Sequence, residues 1–318
     1  MGSTLTTIDL SNIEEVQGNV SAFYNDNLTS LKMDGLKSLS GDFNIFNNSA
    51  LVEFSAKSLS TVNDFIMTTN MNLTEFDLSS LSQASGFYIL GSMIPSIKVD
   101  NLLKLQYLHI SLNPYLEHIS SQKLISISGS LILGGNLRHP DVQLPNLVQV
   151  QDSITMNYIS DFNASNLAST GGDLNIFSNE FKEFSLESFK SVGGSLTFLI
   201  NDDLNSIKMP ELTDIGKGMI MIDNKQPLKI QEDTFPKLNT VGNGIVISGD
   251  LETFMLPGIS RIFGNVIIST SKYFDCADSI IKNSRYTSGF YLCRNSLNSS
   301  SITDDDISSI STMTSSES

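Results

Sequence analysis

The phrase Gly41-Asp42-Phe43-Asn44-Ile45-Phe46 returns almost unchanged as Gly172-Asp173-Leu174-Asn175-Ile176-Phe177. Weaker copies occupy Gly18-Asn19-Val20, Asn63-Asp64-Phe65, Gly129-Ser130-Leu131, Asp152-Ser153-Ile154, Gly194-Ser195-Leu196, Asn243-Gly244-Ile245 and Gly264-Asn265-Val266. Less regular ones sit near Phe87, Leu108 and Ile220, making about twelve in all, each roughly 20 to 25 residues after the last. That period falls in the range of leucine-rich and β-helical solenoids. One such unit has too little apolar surface to stand alone, so the copies have to stack to build a core.

Each copy carries three apolar signals. The first alternates with period two, as in Phe43 and Ile45, Leu131 and Leu133, or Leu196 and Phe198, and predicts a strand with one buried face. The second spaces apolar residues around a polar pair, as in Leu51 and Phe54, Leu204 with Ile207 and Met209, or Leu251 with Phe254 and Leu256, and predicts a second short strand after a bend. The third is a Leu-x-x-Leu/Val/Ile phrase leading into the next Gly, as in Leu36 and Leu39, Leu147 and Val150, or Leu238 and Val241, and closes the coil. The expected fold is all-β, a right-handed parallel β-solenoid of about twelve coils with a cap at each end.

Stacking at the strand spacing of about 4.8 Å sets like residues over like. Val20, Phe43, Phe65, Phe87, Leu108, Leu131, Ile154, Leu174, Leu196, Ile220, Ile245 and Val266 then form one internal column. An Asn recurs between the first two strands, at Asn25, Asn48, Asn70, Asn113, Asn157, Asn179 and Asn201. Asn tolerates the left-handed backbone and bonds to neighbouring chain, which suits a tight corner; a ligand-binding polar stripe is the alternative.

The ends read differently from the middle. Ser11-Asn12-Ile13-Glu14 matches a capping box, so residues 11 to 17 are expected to form a short helix within an N-terminal cap, 1–17. The coils then occupy 18–270. A C-terminal cap, 271–294, runs through Ser279-Ile280-Ile281-Lys282 to Tyr291-Leu292-Cys293. The two cysteines, Cys276 and Cys293, suit one disulfide better than a metal site, which needs further ligands nearby, and a disulfide implies an oxidising compartment. Residues 295–318 form a tail rich in Ser and Thr, with the acidic run Asp304-Asp305-Asp306, that cannot build a core; it reads as a disordered linker or an O-glycosylated stalk.

The formal charge of −15 over 318 residues, with no basic cluster, argues against a nucleic-acid partner. No apolar run approaches the roughly 18 residues of a membrane span. Gly2 and Thr6 fit a myristoylation pattern, and a start residue fused to a mature chain explains Met1 equally well. Six Asn-x-Ser/Thr sequons, at Asn19, Asn27, Asn47, Asn72, Asn163 and Asn298, together with the cysteine pair and the tail, favour passage through the secretory pathway. The three histidines, His109, His118 and His139, have no metal-ligand spacing and no nucleophile motif to serve, and no metal or cofactor is expected. A polysaccharide-active β-helix enzyme would need carboxylates converging from neighbouring coils. The local candidates, Asp202-Asp203 and Asp304 to Asp306, fall at an expected turn and in the tail.

The coils of roughly 22 residues, the strand openings Gly129-Ser130-Leu131-Ile132-Leu133 and Gly194-Ser195-Leu196-Thr197-Phe198, the closing Leu147-Val148-Gln149-Val150 and the late Tyr291-Leu292-Cys293 resemble the receptor L-domain repeat. More particularly, residues 10 to 294 look like the fungal GPI-anchored cell-wall glycoproteins of the sporulation-specific and extracellular-mutant type. The resemblance allows two tandem L-domains within 18–270. It implies a non-enzymatic, extracellular protein of the plasma-membrane surface and cell wall, supporting wall or spore-wall organisation. Its partners would be wall polysaccharide or wall and membrane proteins, and its membrane link a GPI anchor on the precursor. A receptor-like ectodomain that recognises one protein or glycan ligand is the alternative. The family's signal peptide, early cysteine and apolar anchor tail are not found, and a trimmed ectodomain accounts for the first and last.

Overall fold

The computed structural model describes residues 4–270, 274, 276 and 286–295. Every regular element among them is a β-strand, and none is a helix. The chain divides into two compact units, residues 1–167 and 168–318, each built of parallel coils.

In the first unit the opening strands pair in the order Val20–Phe23, Phe43–Phe46, Asp64–Asn70, Gly86–Ser92, Tyr107–Ser111, Leu131–Gly134 and Ile154–Asn157. Second strands such as Glu53–Ser55 and His118–Ser120 form another wall of each coil, and two-residue closing strands such as Ser126–Ile127 form a third. The register places Phe43, Phe65, Phe87, Leu108, Leu131 and Ile154 directly over one another, all essentially buried. Such side chains contribute about 1.5 to 3 kcal/mol each on full burial. Near its base the column is aromatic, with ring centroids 5.7 Å apart for Phe43 and Phe65 and 5.5 Å for Phe65 and Phe87.

The second unit repeats the plan with opening strands Leu174–Phe177, Leu196–Leu199, Met219–Ile230, Ile245–Phe254, Val266–Thr270 and Tyr291–Asn295. Here the column differs from the expected one at one place. Met219, and not Ile220, pairs with Leu196 and Ile245. Met219-Ile220-Met221-Ile222 is apolar throughout, so alternation alone cannot fix which residues face inward.

At the end of each opening strand a residue with φ between about +50° and +70° turns the chain in most coils: Tyr24, Asn47, Thr69, Gly91, Leu112, Gly135 and Tyr158 in the first unit, Ser178, Ile200 and Asp223 in the second. The next residue is usually a buried polar one. Asn48 accepts from the backbone N–H of Asn25 at 3.0 Å and donates through Nδ2 to the Ala22 carbonyl at 2.9 Å. The pattern recurs: Asn70 accepts from Asn48, Asn113 from Ser92, Asn136 from Asn113, and in the second unit Asn201 from Asn179 and Asn224 from Asn201. These bonds satisfy backbone groups that a bend would strand in the core, which is the structural reading of the asparagines. Asn157 is displaced by one place: it ends its strand and its Oδ1 accepts from the Gly135 N–H of the previous coil at 2.7 Å, while buried Ile159 fills the following corner. Asn136 and Asn224 belong and escape the sequence pattern.

Residues 11 to 17 form a turn and the strand Glu15–Val16, paired with Ser38–Leu39, instead of the expected helix. Asp9 accepts from the Ser11 N–H at 2.9 Å, which sets the turn. One helical turn cannot pay its nucleation cost against a parallel partner already in register. At the other end Tyr291–Asn295 continues the sheet beside Val266–Thr270, and Cys276 and Cys293 form a disulfide with Cα atoms 5.9 Å apart. Met1, Gly2, the expected lid segment Ser279-Ile280-Ile281-Lys282 and the tail from 296 onward lie outside the described residues.

Candidate functional site

Five sequon asparagines lie in the first unit, and Asn298 lies outside the described residues. Asn19, Asn27 and Asn72 are exposed, and Asn47 and Asn163 are half-buried. Asn27 occupies the third position of a turn closed by the Leu28 N–H on the Asn25 carbonyl at 3.0 Å. Asn72 takes the matching place two coils on, its Nδ2 donating to the Ser49 carbonyl at 2.7 Å. Asn163 Nδ2 donates to Gln143 Oε1 at 2.9 Å, and Asn19 Oδ1 accepts from the Asp42 N–H at 2.9 Å.

The ionisable groups are spent on neighbouring coils. Lys32 pairs with Glu53 at 2.6 Å, Lys37 with Glu14 at 2.8 Å, Lys208 with Glu183 at 2.9 Å and Lys237 with Glu211 at 2.6 Å. All four are largely solvated and add little stability. Hydrogen bonds from Ser11 to Asp9 and from Lys37 to Glu14 hold those carboxyls below their ordinary range, as Lys32 does for Glu53. At Asp34 burial pushes upward, but the Lys57 backbone N–H at 3.2 Å and its ammonium at 3.5 Å help to outweigh it and the net direction is down. A general acid needs the opposite shift.

Of the carboxylates singled out above, Asp202 forms an ion pair with Lys225 of the next coil, and Asp304 to Asp306 lie outside the described residues. The histidines are dispersed. His109 Nε2 lies 3.0 Å from Ser111 Oγ, and burial lowers its pKa. His118 contacts Asp141, and the His139 ring sits 5.5 Å from that of Tyr158. Among the described residues no three His, Cys, Asp or Glu side chains gather as a metal site would require. In the second unit, a polar cleft of about 440 Å³ beside Ser206, Lys208, Gln226, Lys229, Gln231 and Glu252 has its lysines tied to Glu183 and Glu252.

The most distinctive surface is the outer face of the opening sheet in the first unit. One row runs Ser21, Asn44, Ile66, Tyr88, His109, Ile132 and Thr155. The row beside it runs Phe23, Phe46, Thr68, Leu90, Ser111 and Gly134. Neither row holds an Asp, Glu, Lys or Arg side chain, and burial lowers the pKa of His109. At the base Phe23, Tyr24 and Phe46 are 49%, 60% and 36% exposed, with Phe46 5.3 Å from the Tyr24 ring and 6.4 Å from that of Phe23. With Asn44, Ile66 and Thr68 they line a depression of about 330 Å³. Sequence reading missed this cluster. Its signal was Phe46, at the polar phase of the alternation Phe43-x-Ile45.

No protein-family model and no solved structure matches the chain. It is similar to Sporulation-specific protein 2 of Saccharomyces cerevisiae, 27% identical over 56% of this chain and 35% of that protein. It is also similar to a cell surface GPI-anchored protein of Arthroderma benhamiae, 28% identical over 84% of this chain and 74% of that one. Protein ecm33 of Aspergillus fumigatus is 24% identical over 90% of this chain and 71% of its own length. The chain thus spans about a third of the first relative and nearly three quarters of the other two, and its homologues are fungal cell-surface and sporulation proteins. None of these three is named as an enzyme.

Proposed function

From this kinship with fungal cell-surface and sporulation proteins, we propose that the chain is a non-enzymatic glycoprotein of the fungal cell surface that contributes to wall organisation. The similarity to relatives named for the cell surface carries the reading. The sequons of the first unit and the Cys276–Cys293 bridge agree with an oxidising, secretory route. In its longest form the protein would be held to the membrane by a GPI anchor, as the name of the Arthroderma relative states for that protein. A stack of coils offers an extended, rigid surface, and carboxylates such as Glu53 and Glu183 are drawn into ion pairs across neighbouring coils. The test is secretion from yeast behind a signal peptide, with a mobility shift on enzymatic deglycosylation and fractionation of the wall. A shift together with recovery in the wall or membrane fraction supports the reading. An unglycosylated protein found only in the medium overturns it.

A second reading, a receptor-like ectodomain with one defined ligand, is favoured by the exposed cluster of Phe23, Tyr24 and Phe46. It predicts saturable capture of a single partner from solubilised wall extract and loss of that capture when the cluster is replaced.

A further inference from the structure

We propose that the outer face of the opening sheet in the first unit binds an uncharged, extended chain of β-linked pyranose units, seated over Phe23, Tyr24 and Phe46 and running along the coils. The inference rests on the cell-surface reading for where such a polymer is met, while the chemistry comes from the face itself.

In a chain of net charge −15, two adjacent rows across the opening strands carry no charged side chain, with Asp64 lying at their edge beside Tyr88. That selects against a polyanion, which the rest of the surface repels, and against a polycation, which would settle on the acidic walls. A neutral ligand loses nothing there. The three rings stand partly exposed and at steep angles, 81° between Tyr24 and Phe46 and 78° between Phe23 and Phe46. They form a cradle with faces on more than one side. The axial C–H face of a pyranose is apolar and packs on such rings, while its equatorial hydroxyls need neutral hydrogen-bonding partners at the rim. Ser21, Asn44 and Thr68 stand at the rim in the same two rows. The depression of about 330 Å³ lies at the lower end of the range for ligand sites.

The spacing supports a polymer over a single sugar. Successive coils are about 4.8 Å apart, close to the length of one pyranose residue, so an extended chain laid across the coils meets an equivalent row position at each unit. Beyond the cradle the same row offers Ile66, Tyr88 and His109, and the Tyr88 ring lies 6.5 Å from that of Tyr107, which is 45% exposed. An α-linked chain that coils on itself would leave such a straight row after a unit or two. The matching row of the second unit, Ile220, Val246 and Ile267, is buried and offers no such surface.

The test is titration of the purified chain with a soluble hexamer of β-linked glucose and with one of β-linked N-acetylglucosamine, read by calorimetry. Saturable binding of either is expected, and the hexamer bound identifies the polymer. The double variant Phe46→Val with Tyr24→Asn is expected to fold, because Thr68, itself β-branched, and Asn47 already occupy those positions in the next coil, and Val, unlike Thr, adds no Asn-x-Thr sequon at Asn44. It should lose no melting temperature and bind about tenfold more weakly, each ring being worth on the order of threefold. Phe23→Thr, measured separately, should lose about threefold. Phe263→Ser removes an exposed ring of the second unit, 4.4 Å from the Arg261 guanidinium, and should leave affinity unchanged. Binding of neither hexamer, retention of full affinity by the double variant, or an equal loss in Phe263→Ser overturns the proposal. Because purified protein is used, failure here is separable from failure of the wall reading, which shows as absence from the wall and membrane fractions.

Discussion

The early coils of the first unit and the late coils of the second share an inward pattern and differ in their corners and outer faces. In the former, the chain turns at a left-handed residue, followed in most coils by a buried polar corner. In the latter, Met219–Ile230 and Ile245–Phe254 run through the bend as single long strands, with register shifts between Ile222 and Asn224 and between Asn224 and Leu228. The asparagine ladder ends at Asn224, opposite Gly249. The outer faces diverge too: half-exposed in the first unit, with two adjacent rows free of charged side chains, and buried at Ile220, Val246 and Ile267 in the second. Inward alternation is enough to make a coil. Corners and outer rows vary independently of it, and it is there that binding can be placed.

The largest expected effect tests whether the ladder carries the regular corners. Asn113 accepts from the Ser92 N–H and hydroxyl at 2.9 and 2.7 Å, and its Nδ2 donates to the carbonyls of Ile89 and Ser111. Asn113→Ala leaves several buried groups unpaired, at about 1 to 3 kcal/mol for each such group, and about 3 to 5 kcal/mol in total is expected. Asn224→Ala, at the ladder's end, chiefly strands the Asn201 N–H and should cost about half as much in urea unfolding. Equal costs would mean that the corner of the late coils depends on its asparagine as fully as the regular one does.

A second contrast lies just after the closing strands. There the second unit stacks Gly171, Gly193, Gly216 and Gly242, where the first has residues such as Ser128 and Gln151. A Cβ on Gly216 would lie 2.1 Å from the Gly193 carbonyl oxygen, a clash with backbone that no side-chain rotation relieves. Gly216→Ala should therefore cost about 1 to 3 kcal/mol, as overpacking does, while Ser128→Ala at an exposed site should be close to neutral. Thermal melts of the two variants measure the difference directly.

The extent to which this was readable from sequence follows the same division. Phe43 was assignable because it begins a clean alternation, and the roughly 22-residue period carried the reading to the less regular Phe65, Phe87 and Leu108, which the register stacks as expected. Phase was lost at Met219-Ile220-Met221-Ile222, where both faces are apolar. Asn136 and Asn224 escaped notice for local reasons: Asn136 follows the left-handed Gly135 of a Gly134-Gly135 pair that itself marks the turn, and Asn224 follows Met219–Ile222, where phase was already lost. The aromatic cradle was hidden for a different reason. Phe23 and Tyr24 come from one coil and Phe46 from the next, so their meeting depends on register and not on adjacency.

His109 gives a pH-dependent probe confined to the first unit. Burial lowers its pKa, so its neutral form is the one the fold favours. The associated stability is fully present above the unfolded value of about 6.5 and is lost as pH falls through the lowered folded value. Wild type should lose stability faster than His109→Gln between about pH 6.5 and 5, before the carboxylates begin to titrate. Melting curves at stepped pH should show the two diverging in that window, and parallel curves would show that burial of this imidazole is not linked to folding.

The smallest effect concerns strain at the corner. Ile200 is β-branched, 51% exposed, and has φ of 53°, a region disfavoured for non-glycine residues by roughly 1 to 2 kcal/mol. Asn fills the same left-handed position at Asn47 in the first unit without β-branching. Ile200→Asn should relieve part of the strain and raise stability by about 0.5 to 1 kcal/mol. Because the side chain is exposed, little apolar burial is lost in exchange. Tyr24→Asn makes the same relief at the cradle, so the two substitutions separate strain from binding: both should stabilise, and only the change at Tyr24 should weaken the glycan contact. A stabilised Ile200→Asn beside an unaltered Tyr24→Asn would mean that the Tyr24 ring already repays its strain by packing on Phe46, 5.3 Å away.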